Sequence, residues 1–108
     1  MAGQAIVRAE ISAITNTAKC MVTTSSAHGF STNNHIRFTD LGNVGPEIAD
    51  RGFSQLNNNS YIAEVLSSTT FLIKDELTRE YVDSTAFGAY VSGGTVTAEQ
   101  QIFEYEAD

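Results

Sequence analysis

Two histidines and one cysteine are the residues of this 108-residue chain best suited to metal binding or catalysis. His28 and His35 lie seven positions apart, and either Asp40 or Cys20 could be drawn as a further metal ligand. This spacing matches no recognised zinc site, and a single cysteine excludes both a cysteine-based zinc cluster and an internal disulfide. We therefore predict no metal and no cofactor. His28, which precedes Gly29 in a turn, is expected to bond to loop backbone.

The sequence offers no recognisable active site. A nucleophilic triad needs a serine or cysteine beside a histidine and a carboxylate, and sequence alone cannot show which of the many candidates meet. The chain has neither a G-x-S-x-G nucleophile elbow nor a G-x-x-x-x-G-K phosphate loop. Asp75, Glu76, Glu80 and Asp83 lack the spacing of a calcium loop, so a solvated acidic face is favoured. Cys20 is expected to be a small buried residue. We predict that the protein is not an enzyme.

Composition narrows the class of partner. The net charge is −7, from 13 acidic and six basic residues, and the basic residues are scattered along the chain. Such a chain is repelled by phosphate backbones, so direct binding to nucleic acid is not expected. No apolar run approaches the roughly 20 residues that a membrane span needs, and the first residues do not resemble a signal peptide. We therefore expect that the protein is made in a cytoplasm and does not associate with a membrane.

Strands are the elements that must position these side chains. Apolar and polar residues alternate with a period of two in several short stretches bounded by Asn, Ser and Gly. These stretches are residues 5–14, 19–24, 35–39, 56–73 and 95–97. The longest, 56–73, predicts a hairpin that turns at Ser67-Ser68-Thr69. Residues 75–84 are rich in acids and expected to be exposed, and Gly93-Gly94 predicts a turn into the last strand.

The pattern predicts an all-β fold, a small antiparallel β-barrel or sandwich with one long irregular loop and extended termini. The loop runs from Asp40 to Gln55. It is either a binding surface or a solvated connection with one short helical turn near Pro46–Asp50, and the sequence favours neither. We expect a single domain over residues 1–108. Its core would span about 5–98, and 99–108 would form an acidic C-terminal arm or an edge strand.

Several short motifs occur in a fixed order along the chain. They are His28-Gly29-Phe30, Leu56-Asn57-Asn58 before Tyr61, Thr69-Thr70-Phe71, and Tyr90-Val91-Ser92-Gly93-Gly94-Thr95-Val96. Over roughly residues 11–97 this order resembles a small β module of tailed-bacteriophage virion proteins, which is similar to the small β domain of ubiquitin-activating enzymes. The chain departs from the module at Asn33-Asn34-His35, where the module has Gly-Asp. Asparagine tolerates the left-handed conformation, so the turn should survive.

The resemblance implies a structural role in a virion rather than catalysis. We expect a capsid decoration (cement) protein that binds the major capsid protein as repeated copies. A head–tail connector or tail component is the alternative. The interface is expected to use the chain ends, the Asp40–Gln55 loop and exposed large side chains. The candidate interface residues are Phe53, Ile102, Phe103 and Tyr105.

Two hypotheses of other classes stay open at this point. A module that binds carbohydrate or a host surface would present aromatic rings beside polar residues. Tyr61, Tyr81, Phe87 and Tyr90 with Asn57–Asn59 could supply them, although Tyr61 and Phe87 also fit a core. A small hydrolase is the weaker alternative, and it would depend on His28 or His35.

Overall fold

The computed structural model describes residues 6–99, and within this range the chain forms a closed antiparallel barrel. The six strands are β1 (Ile6–Ile14), β2 (Met21–Thr24), β3 (His35–Thr39), β4 (Ser60–Val65), β5 (Thr70–Asp75) and β6 (Thr95–Glu99). They close in the order β1-β2-β5-β4-β3-β6, and a short 3-10 helix spans Ser54–Leu56. The all-β prediction is confirmed, and of its two forms the barrel is correct. No helix in the described part of the chain is long and apolar enough to cross a membrane.

Strand β1 follows the predicted alternation of buried and exposed residues only in its first part. Ala9 and Ile11 are buried as the alternation predicts, but the next buried residue is Ile14, and Ala13 is exposed. The register with β2 shifts between Ile11 and Ala13, which is a β-bulge. A bulge places one extra residue in a strand, so the side that faces the core changes at that point.

The barrel is filled by side chains from all six strands. Val22, Ile36, Phe38, Phe71 and Val96 have no exposed surface. Burial of each such side chain contributes roughly 1.5–3 kcal/mol to folding. Cys20 is also fully buried in this cluster, which confirms that it serves as a small core residue.

The predicted hairpin is formed by β4 and β5. Its turn is closed by the backbone N–H of Ser67, which donates to Thr70 O at 3.1 Å, and by their two hydroxyls at 2.6 Å. Ala63 faces the core, while Ile62 points outward and is nevertheless buried. The cross-strand neighbours of Ile62 are His35 and Lys74. These neighbours flank it on both sides, so the apolar residue on the outer face of β4 is shielded from water.

The loop after β3 is closed at its base by two backbone hydrogen bonds. The N–H of Gly42 donates to Gly52 O at 3.0 Å, and the N–H of Arg51 donates to Gly42 O at 2.9 Å. Near Pro46–Asp50 the structure has a hydrogen-bonded turn and not the expected helical turn, with the N–H of Ile48 donating to Gly45 O at 3.3 Å. The short helix of this loop lies later, at Ser54–Leu56. Hydrogen bonds within the loop therefore give it a defined conformation.

A glycine turn leads into β6, as the sequence predicts. Gly94 has φ +93°, and a Cβ at this position would lie 2.5 Å from the Leu41 side chain. Leu41 is buried, so the missing side chain of Gly94 makes room for a core residue.

The segment after β5 is only partly exposed, contrary to the prediction for residues 75–84. Residues 75–80 are exposed, but Tyr81 and Val82 are half-buried and Ser84 is completely buried. Val82 hydrogen-bonds with Cys20 and Ile73, so this part of the chain continues the sheet. The predicted C-terminal arm, 99–108, lies outside the described residues apart from Glu99, which ends β6.

Candidate functional site

His28 is a structural residue of the barrel. Its ring stacks on Phe30 at a centroid distance of 5.0 Å and meets the edge of Phe71 at 5.4 Å. Nδ1 accepts a hydrogen bond from the backbone N–H of Phe30 at 2.9 Å, so Nε2 carries the proton and donates to Ser67 O at 2.8 Å. The predicted bonding to loop backbone is confirmed. Neither ring nitrogen is available as a base or a metal ligand in this arrangement.

His35 lies in a different environment. Its Nδ1 is 3.1 Å from Glu76 Oε2 on the exposed outer face of the barrel. The two histidines therefore share no contact partner. Within residues 6–99, no group of three or more His, Cys, Asp or Glu side chains lies close enough together to hold a metal ion.

Cys20 and Ser84 are the buried candidates for a nucleophile. Burial raises the pKa of the Cys20 thiol, and a hydrogen bond with Ser84 opposes this only in part. The reactive thiolate is therefore disfavoured. The Ser84 hydroxyl donates to Thr15 O at 2.6 Å and accepts from the Thr17 N–H at 3.1 Å. These two bonds hold the β1–β2 turn, and no histidine or carboxylate contacts the hydroxyl among the described residues.

Ser84 was missed by sequence reasoning because its partners are far away in the chain. Asn16 extends the same network, since its Nδ2 donates to Ser84 O at 3.1 Å and to Phe87 O at 3.0 Å. The network ties the β1–β2 turn to the segment that follows β5. A buried serine at the end of an acidic stretch carries no local pattern that would reveal this role.

The acidic residues after β5 form turns. Asp75 Oδ1 accepts hydrogen bonds from the backbone N–H groups of Leu77 at 2.8 Å and Thr78 at 3.0 Å. The bonds from Thr78 and Leu77 lower the pKa of Asp75. Asp83 accepts from the hydroxyl and N–H of Thr85, which lowers its pKa in the same way. Each carboxylate thus has local N–H donors, as expected for a solvated acidic turn.

Tyr81 belongs to a charged cluster on the outer face of the barrel. Its hydroxyl donates to Glu64 Oε1 at 2.7 Å, and Lys74 Nζ lies 3.1 Å from the same oxygen. The ammonium groups of Lys19 and Lys74 lie 4.5 and 4.9 Å from the centroid of the Tyr81 ring. The hydrogen bond to Glu64 raises the pKa of Tyr81, and the bonds from Tyr81 and Lys74 lower the pKa of Glu64. Tyr81 is thus half-buried and already engaged by two ammonium groups and a carboxylate.

The other aromatic residues of the carbohydrate hypothesis pack in separate places. Tyr61 meets Phe38 at 5.8 Å, and Phe87 meets Phe53 at 5.7 Å. The hydroxyl of Tyr90 lies 2.7 Å from Gly93 O and 3.0 Å from Ile11 O, so it bonds to main chain beside β1. These rings do not form one exposed stacking face.

The three asparagines of the carbohydrate hypothesis, Asn57–Asn59, also have structural roles. Asn57 Oδ1 accepts from the N–H of Leu41 at 3.0 Å, and Asn59 Nδ2 donates to Gln55 O at 2.9 Å. Asn58 has φ 63°, a left-handed conformation. The run of three asparagines therefore shapes the approach to β4.

Phe53 was predicted to be exposed, and this prediction is wrong. Its exposed fraction is 1%. Gly52 approaches Ala89 so closely that a Cβ on Gly52 would lie 2.2 Å from Ala89 O. This close approach brings the two loops together, and Phe53 packs edge-on against Phe87 in the core. Ile102, Phe103 and Tyr105, the other candidate interface residues, lie outside the described residues.

The described surface exposes four large apolar side chains. They are Ile48, Leu66, Leu77 and Val91, with exposed fractions of 45, 52, 91 and 61%. Ile48 and Val91 are on the loops after β3 and before β6, which are joined where the N–H of Val91 donates to Arg51 O at 2.9 Å. Leu77 is at the tip of the Asp75 turn, and Leu66 follows β4.

A polar cleft of about 540 Å³ lies beside β1 and is lined by Arg8, Ala9, Glu10, Ser25, Ser26 and Thr95. It contains charged and hydroxyl groups but neither histidine nor cysteine. A second cleft, of about 310 Å³, shares Glu10 and Thr95 and extends to Asp40 and Arg51. Both are open depressions of the surface.

The two described ends of the chain are neighbours. Ile6 pairs with Glu99 across β1 and β6, and Glu99 also pairs with His35 of β3. The segments that precede Ile6 and follow Glu99 therefore attach at the same place on the barrel.

Comparison with known proteins adds no assignment. Neither a scan against protein-family models nor a search of the curated proteins found a match for this chain.

Proposed function

We propose that this chain is a non-enzymatic structural protein of a tailed-bacteriophage virion. Within the virion, its role would be capsid decoration, in which repeated copies bind the major capsid protein. A head–tail connector or tail component is the alternative role. The proposal starts from the motif order that resembles the phage β module, and the geometry of the motif residues supports it.

The observation that carries the proposal is that the motif residues hold the barrel together. His28 joins its loop to the β4–β5 turn through Ser67 O, and Phe71 packs against its ring. Asn57 caps the start of the long loop at Leu41, and Tyr90 bonds to main chain at Gly93. A module whose signature residues are structural is suited to presenting surfaces, which is what a repeated virion component needs.

Charge and the position of the chain ends are consistent with binding by contact. A net charge of −7 suits a basic or mixed partner surface and gives little reason to line a DNA channel. Because Ile6 and Glu99 are paired, two terminal segments attach together at one site on the barrel. In a decoration protein, both segments could contact the same part of the shell.

The proposal is tested by adding the purified protein to shells assembled from the major capsid protein alone. Co-sedimentation should show saturable binding, with a fixed ratio of this protein to capsid protein. A matched variant that lacks residues 100–108 should bind more weakly if the segment after Glu99 contacts the shell. Absence of any saturable binding by the full chain, with binding to purified necks or tails instead, would support the connector or tail alternative.

A further inference from the structure

Two arginines that are far apart in sequence lie in one row across the outer face of the barrel. Arg8 of β1 and Arg37 of β3 both pair with Thr97 of β6, which lies between them. Ser60 of β4 pairs with Arg37 and extends the row by one strand. Paired residues of neighbouring antiparallel strands have Cα atoms about 5 Å apart, so those of the two arginines are about 10 Å apart. We call these four residues the arginine row.

The arginine row faces away from the core. Val96 and Ala98, on either side of Thr97 in β6, are fully buried, and successive side chains of a strand point to opposite faces. Arg8 and Arg37 are exposed, and Thr97 is half-buried between them. An anion that reaches this surface therefore meets two guanidinium groups and a hydroxyl.

The arginine row is a local excess of positive charge on a chain whose net charge is −7. Among the side chains that the structure describes, no carboxylate forms an ion pair with Arg8 or Arg37. In the neighbouring row, by contrast, His35 and Lys74 each lie 3.1 Å from a carboxylate oxygen. Arg37 makes one long contact, of 3.5 Å from Nη1 to Ser60 Oγ. A guanidinium group has five N–H donors, so Arg37 keeps donors for a ligand.

Space for a ligand lies next to the arginine row. The polar cleft of about 540 Å³ is lined by Arg8 and by the hydroxyl residues Ser25, Ser26 and Thr95. Glu10 also lines this cleft and pairs with Thr95 in the next row of the barrel wall. Its carboxylate repels a long polyanion such as nucleic acid, which would have to cross both rows. The surface is therefore suited to one compact anion.

We propose that the arginine row binds one oxyanion, a carboxylate or a phosphate, held between Arg8 and Arg37 over Thr97. A planar guanidinium group donates two parallel hydrogen bonds to such an anion, and both side chains are long enough to reach over Thr97. The Thr97 hydroxyl supplies a further donor. The source that we propose is an aspartate or glutamate side chain of the major capsid protein, and this part of the inference rests on the proposed function. The row would then attract an acidic barrel to one defined point of the shell.

The site is tested by NMR titration of the isolated protein with inorganic phosphate and, separately, with acetate, each up to about 50 mM at constant ionic strength. Arg8→Gln and Arg37→Gln each remove one guanidinium group. Arg79→Gln is the matched control, because Arg79 is exposed, lies on the Asp75 turn and undergoes the same change in net charge. Far-ultraviolet circular dichroism and thermal unfolding check that the variants fold.

Both anions should cause saturable shifts of the amide signals of the arginine row, with a dissociation constant in the millimolar range. Arg8→Gln and Arg37→Gln should each raise this constant at least about fivefold, and Arg79→Gln less than about twofold. Shifts that do not saturate, or equal weakening by all three variants, would overturn the inference. Binding of phosphate without acetate would assign the site to a free phosphate ion and overturn the capsid carboxylate as its source.

Binding to capsid shells separates this inference from the proposed function. Arg8→Gln and Arg37→Gln should weaken saturable shell binding at least about fivefold, while Arg79→Gln leaves it unchanged. Shell binding that is equally strong in all three variants would refute the capsid carboxylate and leave the virion role intact. A chain that binds acetate at the arginine row but is absent from particles would refute the virion role and leave the oxyanion site intact.

Discussion

His28 Nδ1 accepts a hydrogen bond from the backbone N–H of Phe30 at 2.9 Å, and the two rings stack at a centroid distance of 5.0 Å. His28 is one of the residues whose type is best suited to catalysis, and these contacts give it a structural role instead. Because Nε2 donates to Ser67 O, the ring also connects the loop before β3 to the β4–β5 turn. The His-Gly-Phe motif is therefore a structural junction.

Replacing His28 by Ala should destabilise the fold by about 2–4 kcal/mol. The substitution leaves the N–H of Phe30 and the carbonyl of Ser67 without their partner and opens a cavity beside Phe71. Urea denaturation followed by tyrosine fluorescence measures the change. His35→Ala is the histidine control, since His35 is exposed and losing its cover of Ile62 should cost no more than about 1 kcal/mol. Equal stability of His28→Ala and wild type would contradict the structural role of His28.

Replacing Ser84 by Ala should cost about 1–3 kcal/mol. The hydroxyl of Ser84 is buried and bonds to Thr15 O and to the Thr17 N–H, and both groups would lose a partner. Ser31→Ala, on the surface, should be close to neutral. Chemical denaturation of both variants gives the comparison, and a loss no larger than that of Ser31→Ala would show that the network is dispensable.

Gly94→Ala and Gly45→Ala form a matched pair. Gly94 has φ +93° and Leu41 2.5 Å from its missing Cβ, so Ala should cost about 2–4 kcal/mol through backbone strain and overpacking. Gly45 has open space around its missing Cβ, so Ala there should be neutral or stabilise by up to about 1 kcal/mol. Midpoints of thermal unfolding test the order, which would be refuted by similar values for the two variants.

The Asp75 turn should weaken in acid. Hydrogen bonds from Thr78 and Leu77 lower the pKa of Asp75 below its ordinary value of 3.8. The folded state therefore prefers the carboxylate, and this stabilisation is complete above the unfolded-state pKa and is lost as pH falls through the folded-state pKa. Carbon-13 NMR titration of the carboxyl group should give a midpoint below 3.8. A midpoint at or above that value would exclude the capping role, and Asp75→Asn should remove the corresponding part of the acid sensitivity.

The alternating pattern predicted the strands well because the period of two is a local property. It could not predict the bulge in β1, since pairing with Thr23 and Thr24 of β2 decides whether Ala13 or Ile14 faces the core. The closure of the sheet depends on the pairing of β1 with β6, whose residues are about 90 positions apart in sequence. Such long-range pairing leaves no signal in either strand alone.

The candidate interface residues show the same limit. Phe53 lies in an irregular loop without a periodic pattern, and for that reason we expected it to be exposed. In the structure Gly52 lies close to Ala89, and Phe53 next to it is buried in the core. Ser84 follows an acidic stretch, yet its hydroxyl meets main chain from the β1–β2 turn. In both cases a contact between distant segments determines burial. The roles of His28 and Cys20 were predicted correctly because short local context was sufficient.

The most direct measurement is the copy number of this protein in purified phage particles, by quantitative mass spectrometry against the major capsid protein. We predict a copy number comparable to that of the capsid protein, with the protein bound as repeated copies on the shell. A copy number near that of portal or tail-ring proteins would place it in the neck or tail. Absence of the protein from particles would contradict the structural role altogether.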